Sequence, residues 1–76
     1  MLPEERDPAY LWDMLEAARE AQQFIVAVSL DQYLQNLMLQ RAIERLVEII
    51  GEAARKVSDT FKTAHADIPW PAIIAP

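Results

Sequence analysis

Glu52 and Lys56 stand four residues apart in a segment that reads as helix, one turn from each other on the same face. A carboxylate and an ammonium so placed can hold the cation in a fixed position. The plainer reading, and the favoured one, is an exposed ion pair worth about 0.2–0.5 kcal/mol. Arg41, Arg45 and Arg55 extend a basic strip along the same helix. Glu44, Glu48 and Glu52 lie among them, which favours a solvated face of mixed charge over a nucleic-acid surface. His65 is the only imidazole, and no cation or orienting partner is evident beside it for acid–base work. There is no cysteine, no glycine-rich phosphate loop and no cluster with metal-ligand spacing, so neither a cofactor nor a metal ion is expected.

These residues need a frame, and the frame is helical. Asp7-Pro8 supplies an N-cap and a first-turn proline. From Tyr10 to Val28 Leu11, Met14, Leu15, Ala18, Ala21 and Ile25 repeat on one face, predicting a first helix over about 7–28. Ser29-Leu30-Asp31-Gln32 reads as a capping box that opens a second helix at once, over about 30–60. So short a connection makes the two helices antiparallel neighbours. The second segment changes phase. Leu30, Tyr33, Leu34 and Leu37 face one way, while Leu39, Ala42, Ile43, Leu46, Ile49, Ile50, Ala53 and Val57 face nearly the opposite way. A bend near Asn36 to Leu39, or a different contact for the first turns, is therefore expected. After Phe61 the periodicity fails, and 62–76 reads as an irregular apolar tail in which Pro71 disfavours helix at Trp70.

The single glycine, Gly51, lies inside the second helix, where glycine costs about 1 kcal/mol relative to alanine. It borders an apolar arc of roughly 160° on the helical wheel, wider than one neighbour covers. Close approach of another backbone, within the hairpin or across a dimer, is the expected reason for it. Gly51, Val47, Ile50, Ile43, Leu46 and Ala54 are the candidate assembly residues. Trp12 and Trp70 could anchor a partner or pack in the core. The chain has 76 residues, 53% hydrophobic side chains and a formal net charge of −5. That allows one small domain, argues against sequence-independent nucleic-acid binding, and favours association with another chain. No apolar run approaches a membrane span, so the expected setting is the cytoplasm.

The segment Arg6-Asp7-Pro8-Ala9-Tyr10-Leu11-Trp12-Asp13-Met14-Leu15-Glu16-Ala17-Ala18 resembles the first helix of HepT-like proteins of the HEPN superfamily. Gln40 to Ala54, with its Ile50-Gly51-Glu52-Ala53 core, resembles their second helix. Phe61, His65 and Ile68-Pro69-Trp70 resemble the link into their third. The resemblance covers almost the whole chain but only the amino-terminal portion of a family member. It implies an all-α fold, a hairpin of two long helices that pairs into a dimeric four-helix bundle, with 1–76 as a single, incomplete domain. It also implies a prokaryotic toxin–antitoxin setting, metal-independent endoribonuclease activity and an MntA-type nucleotidyltransferase antitoxin as partner. The Glu52-x-x-x-Lys56 spacing resembles a second-helix motif of some HEPN families, with Glu52 orienting Lys56 near a scissile phosphate. Glu52, Lys56 and Arg45 are thus the RNA-proximal candidates.

The family's catalytic signature is an Arg followed four to six residues later by His, and it begins shortly after the Pro-Trp segment. These residues contain no such pair, and Ala66, Pro71 and Pro76 depart from the family pattern. No catalytic residue carries over. The expectation is a toxin-family chain inactive alone, reaching RNA only through a complete family member. The alternative is a truncated, non-catalytic module for dimerisation or partner binding.

Overall fold

A computed structural model of the chain describes residues 2–74. Among them every regular element is helical: a 3-10 turn at Pro3–Arg6, then α1 (Asp7–Ile25), α2 (Leu30–Leu34), α3 (Leu37–Lys56), α4 (Asp59–Ala64) and α5 (Trp70–Ile74). The all-α hairpin is as expected. α1 and α3 pack along each other, and α5 lies against α3. Asp7 at the start of α1 meets Ser58 just beyond α3, while Ile25 and Ile43 share a hollow at the other end. The long helices are therefore antiparallel.

The helix boundaries differ from expectation in four places. α1 stops at Ile25 rather than Val28, because Val26 leaves the helix at ψ 131° and Ala27 follows in a left-handed conformation at φ 62°, turning the chain away. The Ser29 capping box then forms as read. Gln32 N–H donates to Ser29 Oγ at 3.1 Å, and Ser29 N–H donates to Gln32 Oε1 at 2.9 Å. The expected second helix is interrupted after one short helix. Asn36 is extended, and its Oδ1 caps a fresh helix by accepting from Leu39 N–H at 3.0 Å. Gln40 Nε2 donates to the carbonyls of Tyr33 and Leu34, closing the open end of α2. This break accounts for the change of phase.

The third difference lies at Val57, whose extended backbone ends α3 at Lys56. Ser58 Oγ accepts from Phe61 N–H at 3.1 Å and starts α4, so residues 59–64 are helix where a loop follows Phe61 in the sequence reading. The fourth is the tail. Trp70 heads α5 with Pro71 in its first turn, a place where proline removes no helical hydrogen bond. The last two residues of the expected tail, Ala75 and Pro76, lie outside the described residues.

The core sits at the α4–α5 end. Ala54 (fully buried), Val57 and Trp70 form its centre, with Tyr10, Leu11, Met14, Phe61, Ile68, Ile73 and Ile74 packed around them. Ala17 and Ala53 are also buried, and their small side chains let α1 and α3 approach closely. Asp7 is not the N-cap read from the sequence. It is the first residue of α1 and is buried, and its carboxylate accepts from Ser58 N–H at 2.8 Å and from Ser58 Oγ–H at 2.6 Å. Because Ser58 in turn caps α4, one carboxylate ties the start of α1 to the start of α4.

Candidate nucleic-acid interface

The antiparallel register opens a shallow groove of about 200 Å³ between the amino-terminal half of α1 and the carboxy-terminal half of α3. Tyr10 and Asp13 line it from α1, and Arg45, Ile49, Glu52, Ala53 and Lys56 line it from α3. The three residues singled out for proximity to RNA, Arg45, Glu52 and Lys56, therefore share one hollow. Ile49 and Ala53 contribute its apolar lining, and the charged heads surround it.

The internal pairing differs from a Glu52–Lys56 bridge. Glu52 Oε1 accepts from an Arg55 guanidinium nitrogen at 2.9 Å, one residue short of Lys56. Arg45 pairs with Glu48 at 3.4 Å, and Arg41 with Glu44 at 3.0 Å. All three are exposed i,i+3 pairs, so each adds little to stability and leaves its charges hydrated. Among the described residues no carboxylate lies within bridging distance of Lys56. Its ammonium sits 6.0 Å from the centroid of the Tyr10 ring. At that range an aromatic face attracts a cation weakly, and with Asp13 and Glu52 on the same lining the groove holds two cations and two carboxylates.

Sequence reasoning missed Tyr10 and Asp13 as members of this groove. The signal was present in the hairpin itself, since a turn at Val28 and Ser29 sets the first turns of α1 opposite the last turns of α3.

His65 takes no part in the groove. Its ring stacks on Phe61 with centroids 4.3 Å apart, and its carbonyl accepts from Trp70 Nε1–H at 3.1 Å. Trp70 is a buried core residue, and Trp12 is exposed on α1. Of the assembly candidates, Leu46, Gly51 and Ala54 are already buried by the chain's own helices. The wide arc of α3 is covered on one side by α1 and on another by α5. Val47 remains exposed, and Ile43 and Ile50 are half-buried. Among the described residues no group of His, Asp and Glu side chains is arranged to hold a metal ion, and no helix is long and apolar enough to cross a membrane.

Comparison with known proteins agrees with the hairpin. Residues 14–75 match the family described as Ribonuclease HepT-like, a span running from the middle of α1 through α5. The chain is 34% identical over 62 residues to "Putative RNase MJ1380" of Methanocaldococcus jannaschii, covering 82% of this chain and 57% of that one. It is 36% identical over 61 residues to "Probable ribonuclease HepT" of Thermococcus cleftensis, covering 80% and 56%. A second M. jannaschii protein, "Putative RNase MJ0127", is 29% identical over 69 residues, covering 91% and 57%. The chain thus spans a little over half the length of these relatives. No solved structure matches it significantly. With most of its length matched by the family and two such relatives above 30% identity, the chain belongs to the HepT-like ribonuclease family of the HEPN superfamily.

Proposed function

We propose that these 76 residues form the helical scaffold of a HepT-like toxin ribonuclease and carry one flank of its RNA path, without cutting RNA themselves. The observation that carries this reading is the α1–α3 groove, in which Arg45, Glu52 and Lys56 converge with Tyr10 and Lys56 forms no salt bridge among the described residues. The cleavage step requires an arginine–histidine pair at the family spacing, and these residues contain none. The setting is a prokaryotic cytoplasm, with a homodimer as the working unit and an MntA-type nucleotidyltransferase as the antitoxin partner.

The test is direct. Purified 76-residue chain, freed of contaminating nuclease, is incubated with end-labelled tRNA and mRNA. The RNA should stay intact. Specific cleavage products that disappear in a Lys56→Ala variant would overturn the assignment of an inactive scaffold.

A second reading, a non-catalytic module for dimerisation or partner binding, is favoured by the apolar end of the hairpin. There Leu30, Leu34, Leu37 and Met38 stand largely exposed together. It expects sedimentation of a dimer at micromolar concentration with no dependence on RNA.

A further inference from the structure

The last turn of α5 lies on Gly51, and the atoms nearest to it are backbone. A methyl group built at Gly51 would stand 3.2 Å from the carbonyl oxygen of Ile73, 3.4 Å from that of Ile74 and 3.9 Å from the Ile74 carbonyl carbon. Backbone cannot rotate out of the way as a side chain can. Alanine at position 51 must push the end of α5 back by a few tenths of an ångström, and a larger residue must displace α5 or bend α3. The other end of α5 is held independently. Trp70 is buried, its indole N–H donates to the His65 carbonyl at 3.1 Å, and its ring meets Phe61 edge-on at 6.0 Å. A five-residue helix held at its first residue can still swing about that point; Ile73 and Ile74 packed on the core restrain that swing, and the Gly51 contact sets how closely the last turn can approach α3.

We infer that Gly51 is a positioning residue: its bare α-carbon is the seat that sets the depth and direction of α5 across α3. This explains why a helix otherwise rich in good formers carries a residue that weakens it. It also places the glycine's role within one chain rather than between two. The inference rests on the proposed function for one step only, that α5 opens the helix on which a complete relative carries its arginine–histidine pair. Gly51 would then aim the chemistry from the far side of the helix, touching no substrate.

The test uses hydrogen exchange by NMR on the full chain, comparing the native protein with Gly51→Ala and Gly51→Leu. Alanine is the better helix former, so protection of the α3 amides around Leu46 should rise about fivefold in Gly51→Ala. Protection of Ile73 and Ile74 should fall by at least about tenfold in the same variant, because α5 opens locally while the hairpin holds. A residue that merely fills space would move both elements in the same direction. In Gly51→Leu, read by Trp70 fluorescence in a Trp12→Phe background, the indole should lose its buried emission. Unchanged protection of Ile73 and Ile74 in Gly51→Ala would overturn the inference, as would parallel loss in α3 and α5. Should Gly51→Leu fail to fold, the alanine variant decides. None of these readouts involves RNA, so the inference can fail while the ribonuclease reading stands, and the reverse.

Discussion

At the end that holds Asp7, Ser58 and Trp70, the hairpin closes around buried side-chain polar groups that are all satisfied and a tryptophan that is almost wholly buried. At the opposite end of a molecule some 45 Å long, Val26, Leu30, Leu34, Leu37 and Met38 face solvent, and Met38 is 84% exposed. The same two helices bound both ends. What differs is the third layer: α4 and α5 cover the first end, whereas among the described residues only the short α2 packs at the second, and its own leucines stay exposed. A helical hairpin this small cannot bury its apolar surface alone, so each end needs an additional element. One is supplied by α4 and α5, and the other end leaves its leucines in water.

The largest effect should come from breaking the covered end. Asp7→Ala removes the acceptor for both Ser58 N–H and Ser58 Oγ–H in a buried site. Stranding two buried donors should cost about 3 kcal/mol. At about 4–8 °C per kcal/mol for a domain of this size, Tm should fall by roughly 15 °C, measured by circular dichroism. Asp7→Asn keeps an acceptor for the backbone N–H and should lose about half as much. Equal loss in both variants would mean that the charge, rather than the hydrogen-bond geometry, holds α1 to α4.

That interaction also marks the limit of what the sequence discloses. The Ser29 capping box joins residues three apart and is legible from a four-residue window. The phase change between Leu37 and Leu39 signals the break that Asn36 makes, since periodicity reports on a dozen neighbouring residues. The groove candidates Arg45, Glu52 and Lys56 lie within three turns of one helix, so their shared face follows from spacing alone. The Asp7–Ser58 contact spans 51 residues, and nothing local distinguishes a buried carboxylate from an N-cap. α5 was hidden for a related reason. Pro71 argues against helix at Trp70 until the indole and the Gly51 seat show what holds that turn in place.

Charging the uncovered end should do the opposite of Asp7→Ala. Leu34→Lys and Met38→Lys place charges at positions already in water, so stability should change by no more than about 0.5 kcal/mol in either direction. Self-association, followed by sedimentation velocity across micromolar concentrations, should weaken in the double variant. Unchanged association would shift the interface to the remaining free surface of α3 at Val47, Ile43 and Ile50.

The smallest effect sharpens the contrast from within the turn that leads to the open end. Ala27 sits at φ 62°, the left-handed region that an alanine methyl group opposes by roughly 1–2 kcal/mol. Ala27→Gly relieves that strain but also gives the unfolded chain more freedom, which costs about 0.4–1 kcal/mol. The two terms nearly cancel, and the strain is the larger. Thermal melts should therefore show a gain below about 1 kcal/mol, a few degrees in Tm. The sign carries the information. A gain says that the turn out of α1 is held in place against its own preference by the Val28–Ile25 hydrogen bond and the Ser29 cap that follows. A loss says that Ala27 contributes packing at this end, and that the open end is less bare than its exposed leucines suggest.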